Sequence, residues 1–548
     1  MSAVSEPLHA PSAAIDTEWW RGAVVYQIYP RSFRDANGDG VGDLAGITER
    51  LDYVASLGVD AVWISPFFKS PMRDFGYDVS DFCDVDPIFG ALADFDALIE
   101  KARAVGLRVI VDQVYSHTSD QHAWFAESRT NRTNPKADWY VWADPKPDGT
   151  PPNNWRSVFG GPAWTWDSRR KQYYLHNFLA SQPDLNLHNA EVQDAVLDVA
   201  RFWLDRGVDG FRLDAVNFFL HDQALRDNPP APEDGRPRNR PFDYQAHIYN
   251  QSHPDVATIL ERIRAVTDEY GGVFTVAEIG DPKPQLEMRA YTAGDKRLNS
   301  AYGFEFLYAG EITPAFVEKT IAAFADGAAD GWPSWAFSNH DAPRAVSRWA
   351  TEENRDAAAR CFALLLACLR GNVFLYQGDE LGLPQADVPF ERLQDPEAIA
   401  NWPLTLGRDG ARTPMPWTRN APHAGFSTAA DTWLPVDPRH AALSADAQET
   451  DPGSVLNAHR SFLKLRAAAP ALRTGDIRFL RQSDAVCAFE RSSADQTLLC
   501  MVNLSETAVD IAAPAGRWRR LAAANLDDGT SSLPLALPPF AGFVAEKT

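Results

Sequence analysis

Eight short apolar runs recur along the chain, and segments of helical periodicity separate most of them. Continuous apolar runs of this length are typical of strands buried on both faces, as in parallel sheets covered by helices. Eight such strand–helix units predict a closed (β/α)8 TIM barrel rather than an open sheet. The predicted strands are 23–33, 61–68, 107–117, 208–218, 273–280, 301–308, 334–341 and 372–380, and the clearest helices are 47–58, 95–106, 192–207 and 355–371.

Three segments depart from this repeat. Residues 118–187, rich in Trp, Pro, Asn and Asp, predict an insertion domain after the third strand. The Pro- and Asp-rich residues 219–254 predict a second long loop, and the short alternating runs that follow residue 455 predict an antiparallel β-sandwich. The predicted division is a disordered tail at 1–17, the catalytic barrel at 18–117 and 188–454, the insertion at 118–187 and the C-terminal domain at 455–548.

Composition restricts the partners. The formal net charge of −22 over 548 residues argues against nucleic acid and anionic membranes, which both need basic surfaces, and fits a neutral small substrate. No run approaches the ~18 apolar residues of a membrane span. The first residues lack the basic and apolar regions of a secretion signal, and the five cysteines are scattered, so we expect a cytoplasmic monomer or homodimer.

Charged side chains stand at the ends of several predicted strands. The carboxyl ends of the strands of a (β/α)8 barrel meet on one face, which is where active sites of such barrels lie. Residues distant in the sequence would therefore share one pocket. Asp112 ends strand three and His117 follows it, Arg212 and Asp214 end strand four, Glu278 ends strand five, and His340 and Asp341 end strand seven.

Several carboxylates in one pocket indicate glycoside hydrolysis, in which one carboxylate attacks the anomeric carbon and a protonated one donates to the leaving oxygen. The environment must then separate their pKa values. Arg212, two positions before Asp214 on the same strand face, is expected to favour the ionised form of that carboxylate. Glu278, in the apolar context TVAEIG, is expected to have the raised pKa of a general acid.

Five motifs carry a family resemblance. The segments are DQVYSH (112–117), QPDLN (182–186), GFRLDAVNF (210–218), VAEIG (276–280) and FSNHD (337–341). Their order and spacing resemble those of the α-amylase superfamily, glycoside hydrolase family thirteen, over roughly residues 18–548. One departure is Ser116, which stands where the family usually has Asn.

The resemblance implies a role for each of these residues. Asp214 becomes the nucleophile, Glu278 the general acid/base and Asp341 the group that binds the 2- and 3-hydroxyls of the sugar. The reaction would retain the anomeric configuration, with the carboxyl groups about 5–5.5 Å apart. The further substrate contacts implied are His117, Phe178, Arg212 and His340.

The segment DFGYD (74–78) resembles the pocket rim of bacterial α-glucosidases and oligo-1,6-glucosidases. Tyr77 would stack on the terminal glucose, and Asp74 would bind its 4-hydroxyl. The resemblance pairs Asp74 with an arginine of GRDGARTPMPW, with Arg408 favoured and Arg412 second. A charge pair beyond the 4-hydroxyl closes the pocket and implies exo action from the non-reducing end.

Ala215, directly after the nucleophile, implies a preference for α-1,4 linkages such as maltose, because a Val there accompanies α-1,6 cleavage in similar enzymes. The expected function is a retaining exo-α-glucosidase with transglucosylation to alcohol or sugar acceptors. The alternatives are an oligo-1,6-glucosidase, or a hydrolase or isomerase of sucrose or trehalose. The segment 384–401 would separate these alternatives.

The loop DANGDGVGD predicts a metal site, because it places oxygen-bearing side chains at alternate positions. Carboxylate and amide oxygens suit a structural Ca²⁺ or Mg²⁺. The loop is not an EF-hand, since its twelfth position is a glycine. The side-chain ligands would be Asp35, Asn37, Asp39 and Asp43, and the resemblance adds the carbonyl of Val41.

Overall fold

The structure is a computed structural model that describes residues 16–548 except 234, 236–237, 281–283, 325–330, 406, 513–514 and 527–531. The predicted tail at 1–17 therefore lies almost wholly outside the described residues. Eight parallel strands form a closed barrel in which each strand pairs with the next and the eighth pairs with the first. They are β1 (Val24–Ile28), β2 (Ala61–Ile64), β3 (Arg108–Gln113), β4 (Gly210–Leu213), β5 (Phe274–Ile279), β6 (Ser300–Gly303), β7 (Trp332–Ala336) and β8 (Asn372–Tyr376).

A helix follows each barrel strand and covers its outer face. The (β/α)8 prediction is confirmed, and nearly all strand residues are buried because the helices lie outside them and the barrel core inside. The helices are α1 (Leu44–Ser56), α2 (Leu92–Ala104), α3 (Ala190–Asp205), α4 (Val256–Asp268), α5 (Pro284–Tyr291), α6 (Pro314–Ala322), α7 (Arg355–Cys368) and α8 (Val455–Ala468). Shorter helices are Pro30–Phe33, Ala123–Ser128, Glu305–Tyr308, Ala345–Trp349, Pro396–Asn401, Pro438–Ala442, Ala445–Glu449 and Pro470–Arg473.

The sixth strand is shorter than predicted. The apolar run 301–308 is not one strand, because pairing with β5 ends at Gly303 and the chain continues as the helix Glu305–Tyr308. A Cβ at Gly303 would lie 2.5 Å from the carboxylate of Glu305 and 2.6 Å from Pro284. A larger side chain would not fit at this position, and periodicity alone does not reveal where the strand ends.

The insertion after β3 forms a small unit of its own. Three short antiparallel strands, Trp142–Ala143, Trp164–Asp167 and Gln172–Leu175, make a sheet with Gln172–Leu175 in the centre. Trp155 and Trp164 are buried in its core. The isolated bridge between His117 and Asp184 joins the start of the insertion to its end, so the unit returns the chain to the rim of the barrel.

The C-terminal segment forms a five-stranded antiparallel sheet. Side chains alternate between its faces, so one face packs against α7 and the barrel, and the other against a two-stranded ribbon, Val509–Asp510 with Ala536–Leu537. The strands are β9 (Asp476–Ser483), β10 (Val486–Ser492), β11 (Thr497–Asn503), β12 (Trp518–Ala524) and β13 (Gly542–Lys547), in the order β9-β10-β11-β13-β12.

Helix α8 joins the barrel to this sheet. The buried guanidinium of Arg466 donates to four main-chain carbonyls, those of Gly22, Ala367, Leu369 and Gly371, at 2.5–3.2 Å. All five cysteines are free thiols. Among the described residues, none of the helices combines the length and apolar character that crossing a bilayer requires.

Candidate active site

Arg212 lies at the centre of a ring of acidic and phenolic groups at the carboxyl end of the barrel. It is fully buried and donates to the carboxylates of Asp112, at 2.9 Å, and Asp214, at 2.6 Å. Its other terminal nitrogen forms an ion pair with Glu278 and donates to the hydroxyl of Tyr302 at 3.0 Å. Three carboxylates from three neighbouring strands therefore share one cation, which offsets much of the cost of burying them.

Burial separates the protonation states of these acids. Burial raises the pKa of Glu278 to about 8, with Arg212 opposing the shift and Asp214 and Asp341 adding to it. Burial also raises the pKa of Asp214 to about 7, against the attraction of Arg212. Arg212 does favour the ionised form of Asp214, the direction that the sequence predicts, but desolvation outweighs its attraction and Asp112 adds to the upward shift of the pKa. Glu278 has the higher pKa of the two and stays protonated to a higher pH than Asp214.

Asp341 lies in the opposite electrostatic environment. Burial alone would raise the pKa of its carboxyl, but His340, Arg412 and Arg408 outweigh burial and hold that pKa well below its usual value. The carboxylate is 2.7 Å from Arg412 and 3.5 Å from Arg408. Burial also lowers the pKa of His340 to about 3, so the imidazole is neutral. Asp341 is therefore an ionised carboxylate, which can accept hydrogen bonds but cannot donate a proton.

Tyr77 forms a wall of the pocket together with His340. The two rings are parallel within 3°, with centroids 5.5 Å apart, and the Tyr77 hydroxyl lies 2.7 Å from His340 Nε2. The same hydroxyl donates to Asp112 at 3.1 Å. Gln27 from β1 lies 2.7 Å from the other ring nitrogen of His340. These bonds fix both rings before any ligand enters.

Asp74 and Arg408 form an ion pair of 2.9 Å, in which Asp74 is buried and Arg408 is partly buried. Arg408 also forms a 2.7 Å ion pair with Asp395, a fully buried residue whose pKa is lowered to about 2 because Arg408 outweighs burial. Gln182, within the QPDLN motif, donates to Asp74 at 3.0 Å. Arg412, the second arginine expected near Asp74, contacts Asp341 instead.

His117 is held by Ser116 and lies beside an aromatic side chain. The Ser116 hydroxyl is 2.9 Å from Nδ1 of His117, and the Phe178 ring centroid is 5.1 Å from that of the imidazole. Burial lowers the pKa of His117 to about 4, so its imidazole is neutral at pH 7. Ser116 therefore orients the histidine through its side chain, at the position where an Asn is usual.

Ala215 carries unusual backbone geometry. Its φ of 45° and ψ of 46° place this non-glycine residue in the left-handed region, directly after Asp214. Its N–H donates to Glu278 at 3.3 Å. The strained turn therefore directs Asp214 and Glu278 to the same pocket, and strain of this kind typically costs about 1–3 kcal/mol.

The loop proposed for the cation folds on its own main chain. The carboxylate of Asp35 accepts from the N–H groups of Gly38 and Gly40, and that of Asp43 accepts from Ala36 and Asn37. Asn37 donates to the Asp39 carboxylate at 3.2 Å. Within the described part of the chain, no three His, Cys, Asp or Glu side chains are grouped as ligands of a metal ion. The donors are all oxygens, as a hard cation requires.

Sequence reasoning placed the acids but missed several groups that hold them. Gln27 and Tyr302 occupy ordinary strand positions, and Asp395 follows no strand, so none carries a local signal. Asp112 was visible as a charge ending an apolar strand, and its contact with Arg212 makes it part of the ring. Gln182 could have been found as the polar residue that opens the motif QPDLN.

A comparison with known families agrees with this geometry. The family profile described as "Alpha amylase, catalytic domain" matches residues 27–475, and the chain belongs to the α-amylase family of glycoside hydrolases. Relatives named as glucosidases are among the most similar proteins.

The chain is 54% identical over 513 residues to a probable α-glucosidase of Rhizobium meliloti (strain 1021), covering 92% of this chain and 93% of the relative. It is 38% identical over 553 residues to the oligo-1,6-glucosidase of Heyndrickxia coagulans, covering 94% of this chain and 98% of the relative. The crystal structure of the α-glucosyl transfer enzyme XgtA superposes with a TM-score of 0.92 at 52% identity, covering 97% of this chain and 99% of that one. This chain is accordingly a glycoside hydrolase of the α-glucosidase group.

Proposed function

We propose that this enzyme is a retaining exo-α-glucosidase that releases α-glucose from the non-reducing end of short α-glucosides, with α-1,4 linkages preferred. One observation carries the proposal: the ring around Arg212 holds a protonated Glu278 and an Asp214 of lower pKa on one pocket face, and the Asp74–Arg408 pair limits that pocket. A pocket closed by a buried ion pair favours a terminal sugar over the middle of a polysaccharide.

In the first step, an oxygen of Asp214 bonds to the anomeric carbon while the glycosidic C–O bond breaks. The proton of Glu278 moves to the leaving oxygen, so the aglycone departs as a neutral alcohol. The anionic Asp341 and the positive charge that develops on the sugar ring stabilise each other. Bonds from Tyr77 and Gln27 keep His340 beside the pocket throughout.

In the second step, the carboxylate of Glu278 takes a proton from water, whose oxygen attacks the anomeric carbon as the bond to Asp214 breaks. An alcohol or sugar hydroxyl can replace water at this point and yields a new α-glucoside. The similarity to XgtA, which is described as an α-glucosyl transfer enzyme, supports this transfer.

The test is glucose release from maltose, isomaltose, sucrose and trehalose by the purified protein. We expect maltose to have the highest kcat/KM, and Asp214→Asn to be inactive toward all four sugars. Fastest cleavage of sucrose or trehalose would keep the mechanism and reject the α-1,4 preference. Equal activity of Asp214→Asn and the parent would reject the nucleophile. The control is Asp205→Asn, an aspartate at the end of α3 outside the ring.

We also propose that the loop 35–43 holds a structural Ca²⁺ or Mg²⁺ through Asp35, Asn37, the Val41 carbonyl, Asp39 and Asp43. The all-oxygen donor set supports this proposal. A cation that binds only the folded state stabilises it by about 2.7 kcal/mol when its concentration is a hundredfold above Kd, and Tm rises accordingly. We expect a higher Tm with calcium than with chelator, and an equal Tm in Asp39→Ala. If neither Ca²⁺ nor Mg²⁺ changes the Tm of the parent protein, the proposal is wrong.

A further inference from the structure

An open cavity of about 760 Å³ lies on the loop between β4 and α4, outside the glucose pocket. Its lining includes three arginines, Arg156, Arg238 and Arg240, and among the described lining residues there is no Asp or Glu. Tyr244 and Leu404 supply an apolar wall. In a chain with a net charge of −22, a cavity with this balance of charge departs from the rest of the molecule.

The arginines differ in how far they are neutralised. Arg240 forms ion pairs with Asp243, at 3.2 Å, and with Glu397, at 3.5 Å. Arg156 is exposed and has no acidic partner among the described residues. Arg238 donates only to main-chain carbonyls in the described part of the chain, the closer at 2.7 Å. Among the residues that the structure describes, no carboxylate therefore neutralises these two guanidinium groups, which are the groups that bind anions in charge-assisted hydrogen bonds.

The floor of the cavity is held by reciprocal amide bonds. Asn154 donates to the carbonyl of Asn228 at 2.9 Å, and the N–H of Asn228 donates back to the Asn154 side chain at 2.8 Å. The buried Asn228 also donates to Asn250 at 2.8 Å. These bonds join the insertion unit to the β4–α4 loop, so the cavity wall is formed before a ligand arrives.

Glu397 connects the cavity to the active site, because its carboxyl interacts with Arg240 and also with Arg408, Asp395 and Asp341. Glu397, the partner of Arg240, lies in the helix Pro396–Asn401, which begins directly after Asp395. Tyr308, which is half-exposed, donates to the carbonyl of Asp341 at 3.2 Å.

We propose that this cavity binds the anionic part of an acceptor or aglycone, a carboxylate or phosphate carried a few ångströms from the hydroxyl that receives glucose. The inference rests on the proposed glucosidase function and specifies its acceptor chemistry. Tyr244 would stack on an aromatic or sugar ring, while Arg156 and Arg238 bind the anion. The hydroxyl would then point toward the anomeric carbon on Asp214.

The experiment uses 4-nitrophenyl α-glucoside as donor, because nitrophenol release reports the first step and free glucose reports hydrolysis. The acceptors are benzyl alcohol, 4-(hydroxymethyl)benzamide, 4-(hydroxymethyl)benzoate and 4-(hydroxymethyl)phenyl phosphate. We expect the anionic acceptors to divert more glucosyl-enzyme than the neutral ones, and Arg156→Gln with Arg238→Gln to reduce that advantage by about three- to tenfold. Comparing benzoate with phosphate tells which anion the cavity prefers.

The control variant is Arg481→Gln, which removes an exposed positive charge on β9. It should keep the full anionic advantage, and both arginine variants should release nitrophenol at the parent rate without acceptor. Equal transfer to all four acceptors, or no transfer while nitrophenol is still released, overturns this inference. Absence of nitrophenol release overturns the proposed function itself, so the two failures are distinct.

Discussion

Deprotonation of Glu278 should cause the alkaline limb of the pH profile of kcat/KM. With a pKa of about 8, this residue is about nine-tenths protonated at pH 7 and about one-tenth protonated at pH 9. Since the first step needs the proton, kcat/KM for maltose should fall about tenfold between those two pH values. On the acid side, kcat/KM should fall as the pH drops through about 7, where Asp214 gains a proton. Because the two acids interact, the measured values belong to the pair.

The decisive variant is Glu278→Gln, which cannot donate a proton and does not titrate. Its kcat on maltose should fall by about 10²- to 10⁴-fold, and its alkaline limb should vanish. With 4-nitrophenyl α-glucoside the first step should survive, because nitrophenolate leaves without a proton. The control is Glu305→Gln, a second glutamate whose pKa is raised by burial to about 7 but which lies outside the Arg212 ring. An alkaline limb that persists in Glu278→Gln and vanishes in Glu305→Gln would refute the assignment.

Three further predictions concern the residues around this machinery. Asp395→Asn removes the charge that holds Arg408, so KM for maltose should rise about tenfold in steady-state assays, and an unchanged KM would contradict the positioning role. Ala215→Val should raise the ratio of kcat/KM for isomaltose to kcat/KM for maltose. The expected change corresponds to about 1–3 kcal/mol in transition-state binding free energy. Its Tm should also fall, because a β-branched residue at a φ of 45° is strained. Arg466→Leu leaves four buried carbonyls without their donor and should lower the free energy of unfolding by about 3–5 kcal/mol in urea titration, whereas Arg460→Leu on the same helix should change it little.

The sequence determined the architecture because each strand–helix unit of a parallel barrel appears in the sequence as an apolar run followed by an amphipathic segment. Eight apolar runs separated by amphipathic segments predicted the closed barrel, and charges at the run ends predicted its active face. Asp214, Glu278 and Asp341 could be named because each ends such a run. The limits of the sixth strand could not be predicted, since the apolar run continues from the strand into the helix Glu305–Tyr308 without a change of composition. The predicted domain limits and the cation site stay predictions.

Only the tertiary structure decided which charges share which partners. The sequence placed Arg212 beside Asp214, but closing the barrel brought Asp112 and Glu278 to the same guanidinium. Burial outweighs the adjacent arginine in the pKa of Asp214, and the carboxylate of Asp112, which the sequence did not place there, adds to the upward shift. Likewise, Asp395 binds Arg408, which lies 13 positions further along the chain, and no sequence pattern marks this pairing. Periodicity is a pattern among neighbouring residues, so it can be read from the sequence. The electrostatic environment of a group depends on residues that come together only in the folded protein.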